Sequence, residues 1–405
     1  MRSVVAGLDV GTSKVCALVA ELADETPTLL GFGIAPCIGL RKGVVVNIEA
    51  TVEAIRAALE EAQKSSGVRV GAVVVGVAGP HIRGLNSHGI VAVRGGEVNQ
   101  RDVERVIDAA QAVAIPLDRQ VLHVLPQQFA VDDQEGVRDP IGMAGVRLEA
   151  RIHIVTAAQS YGQNLNKCCE RAGATPSEMV FQPLAAADAA LFPEERELGV
   201  ALIDIGGGTT DIIVFHGGAV MHTAVLPIGG SHLTSDVAAG LRTPLGEAER
   251  LKISFGVATN MVVGRDDVVQ VPGVGGRAPR MIQRRLLGEI MGPRMEEIFA
   301  LVQRELGRSE VADNLASGIV LVGGSALLEG TQELAERIFN LPVRRGLPIN
   351  LKGMPEDLMK PMYTTAAGLI LHAAAANGNG LGAMRNGRLL GRWRHRVSDW
   401  MREFF

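Results

Sequence analysis

Residues 200–215 (VALIDIGGGTTDIIVF) set an aspartate, three consecutive glycines and two threonines between two apolar runs. Both runs are rich in Val and Ile, which favour strands. A strand followed by a glycine turn and a helix would place phosphate on the helix N-terminus. Here the second run is short and β-branched, so the spacing predicts a hairpin instead. Phosphate would then be held by backbone N–H groups of the turn. Gly206, Gly207 and Gly208 carry no side chain to obstruct an anion's approach. Thr209 and Thr210 add hydroxyls. Asp204, at the strand end, is placed to hold Mg²⁺ through water. An ordinary glycine-rich hairpin is the alternative for this stretch alone.

A second copy argues against that alternative. Residues 4–20 (VVAGLDVGTSKVCALVA) repeat the plan, with Asp9 before a turn of Gly11, Thr12 and Ser13, then alternating Val15, Ala17 and Val19. Two such hairpins predict a duplicated domain that grips one nucleotide between its halves, with Asp9 and Asp204 as paired metal carboxylates. Residues 247–254 (EAERLKIS) read as a helix with Glu249 and Lys252 three apart on one face. That pair is either a surface ion pair or a carboxylate and ammonium aimed at a ribose and its phosphates. A buried strand at 318–322 ends in Gly323, Gly324 and Ser325. Glycines at a strand end let a flat ring lie against backbone, so adenine is expected there.

The elements that must position these residues follow in order. Strands are expected at 4–9, 15–22, 30–36 and 71–77, with 39–46 (GLRKGVVV) as a loop entering a strand. The helix at 51–64 has Val52, Ile55, Leu59 and Ala62 on one face and Gly67 beyond its end. Strand 71–77 is apolar on both faces and should be central. From residue 86 to about 156 the pattern is strand 88–94, helix 99–113, strand 121–131, polar turn 132–139 and strand 145–155. This inserted β-α-β-β module holds no catalytic constellation, so it is a candidate contact surface. Helices follow at 159–172 and 181–191, then a charged loop at 194–198. After the central hairpin come a glycine turn at 227–231, helices at 231–239 and 247–254, a strand at 268–271 and an exposed basic loop at 272–280. A helix pattern over 282–306 is interrupted at Gly292 and Pro293. Helices at 331–339 and 363–376 complete the body.

This order predicts an α/β protein divided as follows: 1–84 with 157–198, the insertion 85–156, 199–234 with 307–376, and a smaller unit 235–306. A linker at 377–387 then leads to a tail at 388–405. Wound at about 100° per residue, the tail places Leu389, Leu390, Trp393, Val397, Trp400, Met401 and Phe404 in one stripe about 120° wide; Phe405 follows. Its arginines outnumber its acids. It is too short and too charged to span a bilayer, but it fits a helix lying in an anionic membrane surface. Docking on the protein's own body is the alternative, which the glycine-rich tether disfavours.

Composition narrows the class. A length of 405 residues implies two or more domains. Aromatics at 3% and a net charge of −4 argue against a nucleic-acid partner. Cys16, Cys37, Cys168 and Cys169 show no C-x-x-C spacing, as expected of reduced thiols. No apolar run approaches the roughly 20 residues of a membrane span. The first residues run straight into a strand, so no signal peptide is expected.

The turns at 9–14, 204–211 and 322–325 together resemble the three nucleotide-binding motifs of the actin, sugar-kinase and heat-shock-chaperone superfamily. With the insertion, the loop at 275–280 and the tethered tail, the whole chain resembles the bacterial FtsA cell-division family. The resemblance implies an actin-like, ribonuclease H-like duplicated fold of two domains around a nucleotide cleft. It implies ATP with Mg²⁺, actin-like filaments, and a tie from the FtsZ ring to the cytoplasmic membrane at midcell. Recruitment of later division proteins is also implied. By position, Asp9, Gly11, Thr12, Ser13 and Lys14 would form the first phosphate turn, and Asp204 with residues 206–210 the second. Glu249 and Lys252 would hold ribose, and residues 323–325 adenine. FtsZ would contact the region 235–306. Relatives such as MreB carry Glu-Pro where this chain has Gln182 and Pro183. A neutral amide can position water but is a poor general base, so the expectation is ATP binding with weak or no hydrolysis. Two other classes stand beside this one. A sugar-kinase phosphotransferase needs an acid-base carboxylate facing a substrate cleft, and none stands out. A PilM-like pilus-assembly protein shares core and insertion, but the tail counts against it.

Overall fold

The structure, a computed structural model, describes residues 3–23, 26–264, 266–272 and 278–376. The linker at 377–387 and the amphipathic tail at 388–405 lie outside the described residues, as does most of the basic loop after residue 272.

The chain opens with β1 (Val4–Val10), β2 (Lys14–Glu21) and β3 (Thr28–Pro36), an antiparallel meander. A small hairpin, β4 (Leu40–Arg41) and β5 (Val44–Val45), stands where a loop entering a strand was expected. Helix α1 (Ile48–Ser66) begins three residues before the periodicity predicts, because the Asn47 side chain accepts a hydrogen bond from the Ala50 N–H. It ends at Gly67, whose φ of 69° is left-handed. Its buried face carries Val52, Ile55, Leu59 and Ala62. β6 (Ala72–Val77) runs parallel to β1.

The insertion comprises β7 (Arg83–Ala92), α2 (Gln100–Gln111), β8 (Arg119–Val131), β9 (Gln134–Val137) and β10 (Arg147–Ala158), in sheet order β7-β10-β8-β9. The polar stretch 132–139 is therefore not all turn, since β9 pairs with β8. Val103, Val106 and Ile107 of α2 pack on Leu148 and Ala150 of β10, a core separate from the larger ones.

The chain returns through α3 (Gln159–Arg171), β11 (Thr175–Phe181), α4 (Gln182–Ala190) and α5 (Pro193–Leu198). β11 was not predicted, and α5 replaces the expected charged loop. The Glu195 carboxylate accepts from the Phe192 N–H and fixes that turn of helix.

The second half starts with β12 (Val200–Ile205), β13 (Thr210–His216) and β14 (Ala219–Leu226), again an antiparallel meander. Then come α6 (Gly230–Leu241), α7 (Leu245–Phe255), the hairpin β15 (Val268–Val271) and β16 (Arg280–Gln283), and α8 (Arg285–Leu306). α8 starts later than the helix pattern and runs through Pro293 without a break. β17 (Ile319–Val322), α9 (Thr331–Phe339), β18 (Val343–Arg345) and α10 (Thr364–Ala376) complete the body.

The two large sheets have one plan. Their orders are β11-β6-β1-β2-β3 and β14-β13-β12-β17-β18. Reversing the second matches meander to meander, with two parallel strands added on the same side. The duplication read from the hairpins therefore extends to whole sheets. The halves are joined by α4 and α10, both alanine-rich. A Cβ on Gly368 would lie 1.7 Å from the Ala185 carbonyl oxygen, so only glycine allows this crossing. The four cysteines are free and buried. Among the described residues no helix is long and apolar enough to cross a membrane.

Candidate functional site

The turns of the two first hairpins face each other. Each is a four-residue connection closed by a paired residue on either side, Val10 with Val15 and Ile205 with Thr210. In each, the N–H of the first turn residue donates to the carbonyl of the last: Gly11 to Lys14 at 2.9 Å, and Gly206 to Thr209 at 3.0 Å. The glycines are needed for contact across the cleft. A Cβ on Gly207 would lie 2.2 Å from Ser13 Oγ, and one on Gly208 would lie 2.6 Å from Thr12 Oγ1.

Three aspartates gather behind the turns. Asp9 accepts from the Gln182 amide at 3.0 Å and lies 3.9 Å from the Lys14 ammonium. Burial raises its carboxyl, with Lys14 pulling the other way. Asp204 accepts from the Thr365 hydroxyl at 3.3 Å. Burial, then the charge of Asp9, pushes its carboxyl up to about 6. Asp211 is the register partner of Asp204. It accepts from Thr209 Oγ1 at 2.8 Å on one oxygen, while its other oxygen is buried with no hydrogen-bond partner. Burial, then Asp204, raises it well above the usual carboxylate range. An electron-rich, desolvated cluster of this kind is short of positive charge.

The remaining residues adjoin the second turn. The first N–H groups of α6 bond to it: Gly230 to the Gly206 carbonyl at 2.9 Å, and Ser231 to that of Gly207 at 2.7 Å. Lys252 is buried and donates to the Gly230 carbonyl at 3.1 Å and to Thr234 Oγ1 at 3.0 Å. Its ammonium lies 2.7 Å from Glu249, which also accepts from the Thr234 hydroxyl. The pair is therefore part of a network that is buried at Lys252 and reaches solvent at Glu249. A Cβ on Gly230 would lie 2.8 Å from Ser325 Oγ, which brings the strand-end turn into the same cluster. Gly323 has φ of 85° and packs on Asp204, where a Cβ would approach Oδ1 to 2.3 Å. Gly324 faces open space.

Most of the residues singled out by sequence thus adjoin the two turns, but the Thr210 hydroxyl, expected to face the cleft, is buried and donates to the Ile228 carbonyl at 2.9 Å. Sequence reasoning passed over four further residues. Asp211 was recognisable in principle, since a hairpin closed by four residues must pair it with Asp204. Met362, Tyr363 and Thr365 gave no local signal. Lys14 donates to the Met362 carbonyl at 2.9 Å, and its ammonium lies 5.0 Å from the centre of the Tyr363 ring. Thr365 reaches Asp204. The segment 362–365, which leads into α10, thus reaches Lys14 of the first turn and Asp204 on the strand before the second.

Comparisons with known proteins agree with this architecture. The family model of the cell division protein FtsA matches residues 201–368, and that of the SHS2 domain inserted in FtsA matches residues 79–156. The chain is 50% identical over 378 residues to the cell division protein FtsA of Pseudomonas aeruginosa, covering 93% of this chain and 91% of that one. Among solved structures it is similar to a PilM-PilN type IV pilus biogenesis complex, with a TM-score of 0.65 at 17% identity over 91% of this chain and 98% of that one. It is also similar to MreB5 of Spiroplasma citri bound to ADP, with a TM-score of 0.56 at 17% identity over 95% of this chain and 99% of that one. These likenesses establish the actin-like fold.

Proposed function

The chain belongs to the FtsA family of cell division proteins, and from that premise we propose that it binds ATP with Mg²⁺ and polymerises on the cytoplasmic face of the membrane. There it anchors the FtsZ ring at midcell and helps recruit later division proteins. The observation that carries the nucleotide reading is the meeting of two matched glycine turns over three aspartates, Asp9 and Asp211 buried and Asp204 half-buried. Backbone donors of the turns would hold the phosphates.

The carboxylates fit a divalent cation. Asp211 has a buried, unpartnered oxygen, and all three acids are held above their usual range. Among the described residues no three His, Cys, Asp or Glu side chains converge closely enough to ligate a metal directly. Mg²⁺, which keeps several of its waters, suits such a site through Asp9 and Asp204. When bound, it would offset phosphate charge. Glu249 and Lys252 hold the ribose side, and residues 323–325 the base. Gln182 binds Asp9 and offers no basic group, so hydrolysis is weak.

In this reading the units are 1–84 with 157–198, the insertion 85–156 for later division proteins, 199–234 with 307–376, and 235–306 for FtsZ. The stretch 377–387 tethers an amphipathic helix, 388–405, to lipid. The test is reconstitution on anionic vesicles with ATP and FtsZ, viewed by electron microscopy. Coated vesicles that recruit FtsZ are expected, and Trp400→Glu should abolish coating. A variant that coats normally removes the tail from the account. Coating that is unaffected by ATP removes the nucleotide.

A further inference from the structure

The β4–β5 hairpin meets both turns. Arg41 pairs with Val44, so Lys42 and Gly43 alone form its tip. Both have positive φ, 52° and 75°. This is the sense of a type I′ turn, which favours Asn, Asp or Gly at its first central position. Lysine is strained there, because its Cβ crowds the backbone. Strain kept at a defined point is a pointer to function when contacts enforce it.

Contacts do enforce it. The Gly43 N–H donates to Thr12 Oγ1 at 3.0 Å, which ties the tip to the first turn. A Cβ on Gly208 would lie 2.8 Å from Lys42 Cα and 2.9 Å from its nitrogen, so the tip also packs on the second turn. Lys42 is half-buried, and its ammonium makes no hydrogen bond or ion pair among the described residues. The other site lysines are engaged, Lys14 with Asp9 and Met362, and Lys252 with Glu249.

Direction along the second turn assigns its target. Gly206, at the start, adjoins Gly230 and through it Ser325 and Lys252, the ribose and base side. Gly208, two residues on, adjoins Lys42. The phosphate furthest from the base therefore comes to the hairpin tip. We propose that Lys42 binds the terminal phosphate of a nucleoside triphosphate, so that the β4–β5 hairpin distinguishes triphosphate from diphosphate. A lysine suits this task as a point charge on a flexible stem. The proposal rests on the nucleotide reading above.

The test compares full-length wild type, Lys42→Gly and Lys42→Arg by calorimetric titration with ATP-Mg and with ADP-Mg. Loss of one charged contact predicts that Lys42→Gly weakens ATP about tenfold and leaves ADP within about twofold. Lys42→Arg should keep most of the ATP preference. Lys42→Gly should melt no lower than wild type, since glycine relieves the turn. Should it fail to fold, Lys42→Gln removes the charge and must show the same selective loss. A wild type that prefers ATP and a charge-free variant with the same ratio overturn the role of Lys42 alone. Equal losses for ATP and ADP also overturn it. A wild type that binds neither nucleotide overturns the nucleotide reading, and this proposal with it.

Discussion

The turn between β1 and β2 spans residues 11–14, and the turn between β12 and β13 spans residues 206–209. Both are closed by the same backbone hydrogen bond, and both follow an aspartate by one residue. Their side chains differ. The last residue of the first turn is Lys14, and that of the second is Thr209. Across the strands, Asp9 faces Cys16, while Asp204 faces Asp211. The first half supplies a cation and, through Gln182, an amide donor to its aspartate. The second half supplies two carboxylates and no cation within its turn. Duplication thus fixed the backbone donors, and divergence divided the charges between the halves.

The largest test exchanges the register partners. Cys16 is fully buried, and burial holds its thiol up at about 12. Cys16→Asp would give the first half the second half's paired acids. An uncompensated buried charge costs roughly 3–5 kcal/mol, so urea denaturation should show a loss of that order at pH 7. The reverse change, Asp211→Cys, removes a buried acid with an unpartnered oxygen and should not destabilise the nucleotide-free protein. Equal losses from both changes would mean that the halves do not differ in charge tolerance.

Asp204→Asn sharpens the contrast within the second half. The folded carboxyl lies near 6 against 3.8 unfolded, so the folded state holds the proton more tightly. Its contribution to stability is full below about pH 4 and is lost as pH rises through about 6. Asparagine abolishes that loss. The nucleotide-free variant should therefore exceed wild type in stability at pH 7, by roughly 1–3 kcal/mol, with a flatter profile between pH 4 and 6. Its affinity for ATP-Mg should fall roughly 10–100-fold, as for a carboxylate acting on a metal through water. An unchanged affinity would take Asp204 out of the proposed metal site.

Sequence revealed the hairpins because glycines and β-branched runs are strong local signals. It revealed α1 because its apolar face is periodic and its end is marked by Gly67. The strands it missed are mainly at sheet edges, namely β9, β11, β14 and β18. β11 (TPSEMVF) carries a proline, a register shift and a polar face, and β18 has three residues. Little in such strands separates them from loops. The site was legible where one motif held several of its residues. It was illegible where contacts join distant segments: Lys14 to Met362, Thr365 to Asp204, and Lys42 to Gly208. α5 was misjudged because its stability comes from a capping carboxylate, Glu195, and not from periodicity.

The smallest test concerns the residue that replaces lysine in the second turn. Thr209 Oγ1 donates to Asp211, and both side chains are buried. That bond favours the charged carboxylate, against burial and the neighbouring Asp204. Thr209→Val keeps the shape and removes the donor, which leaves both Asp211 oxygens without a protein partner. Asp211 should then hold its proton to higher pH, and the nucleotide-free protein should lose about 1 kcal/mol at pH 7. Saturating Mg²⁺ with ATP should recover part of this loss, because a cation near the cluster offsets the charge that Thr209 no longer solvates. A loss in melting temperature that ATP-Mg does not reduce would show that Thr209 serves the hairpin alone, and that the two turns differ in sequence without a division of charge.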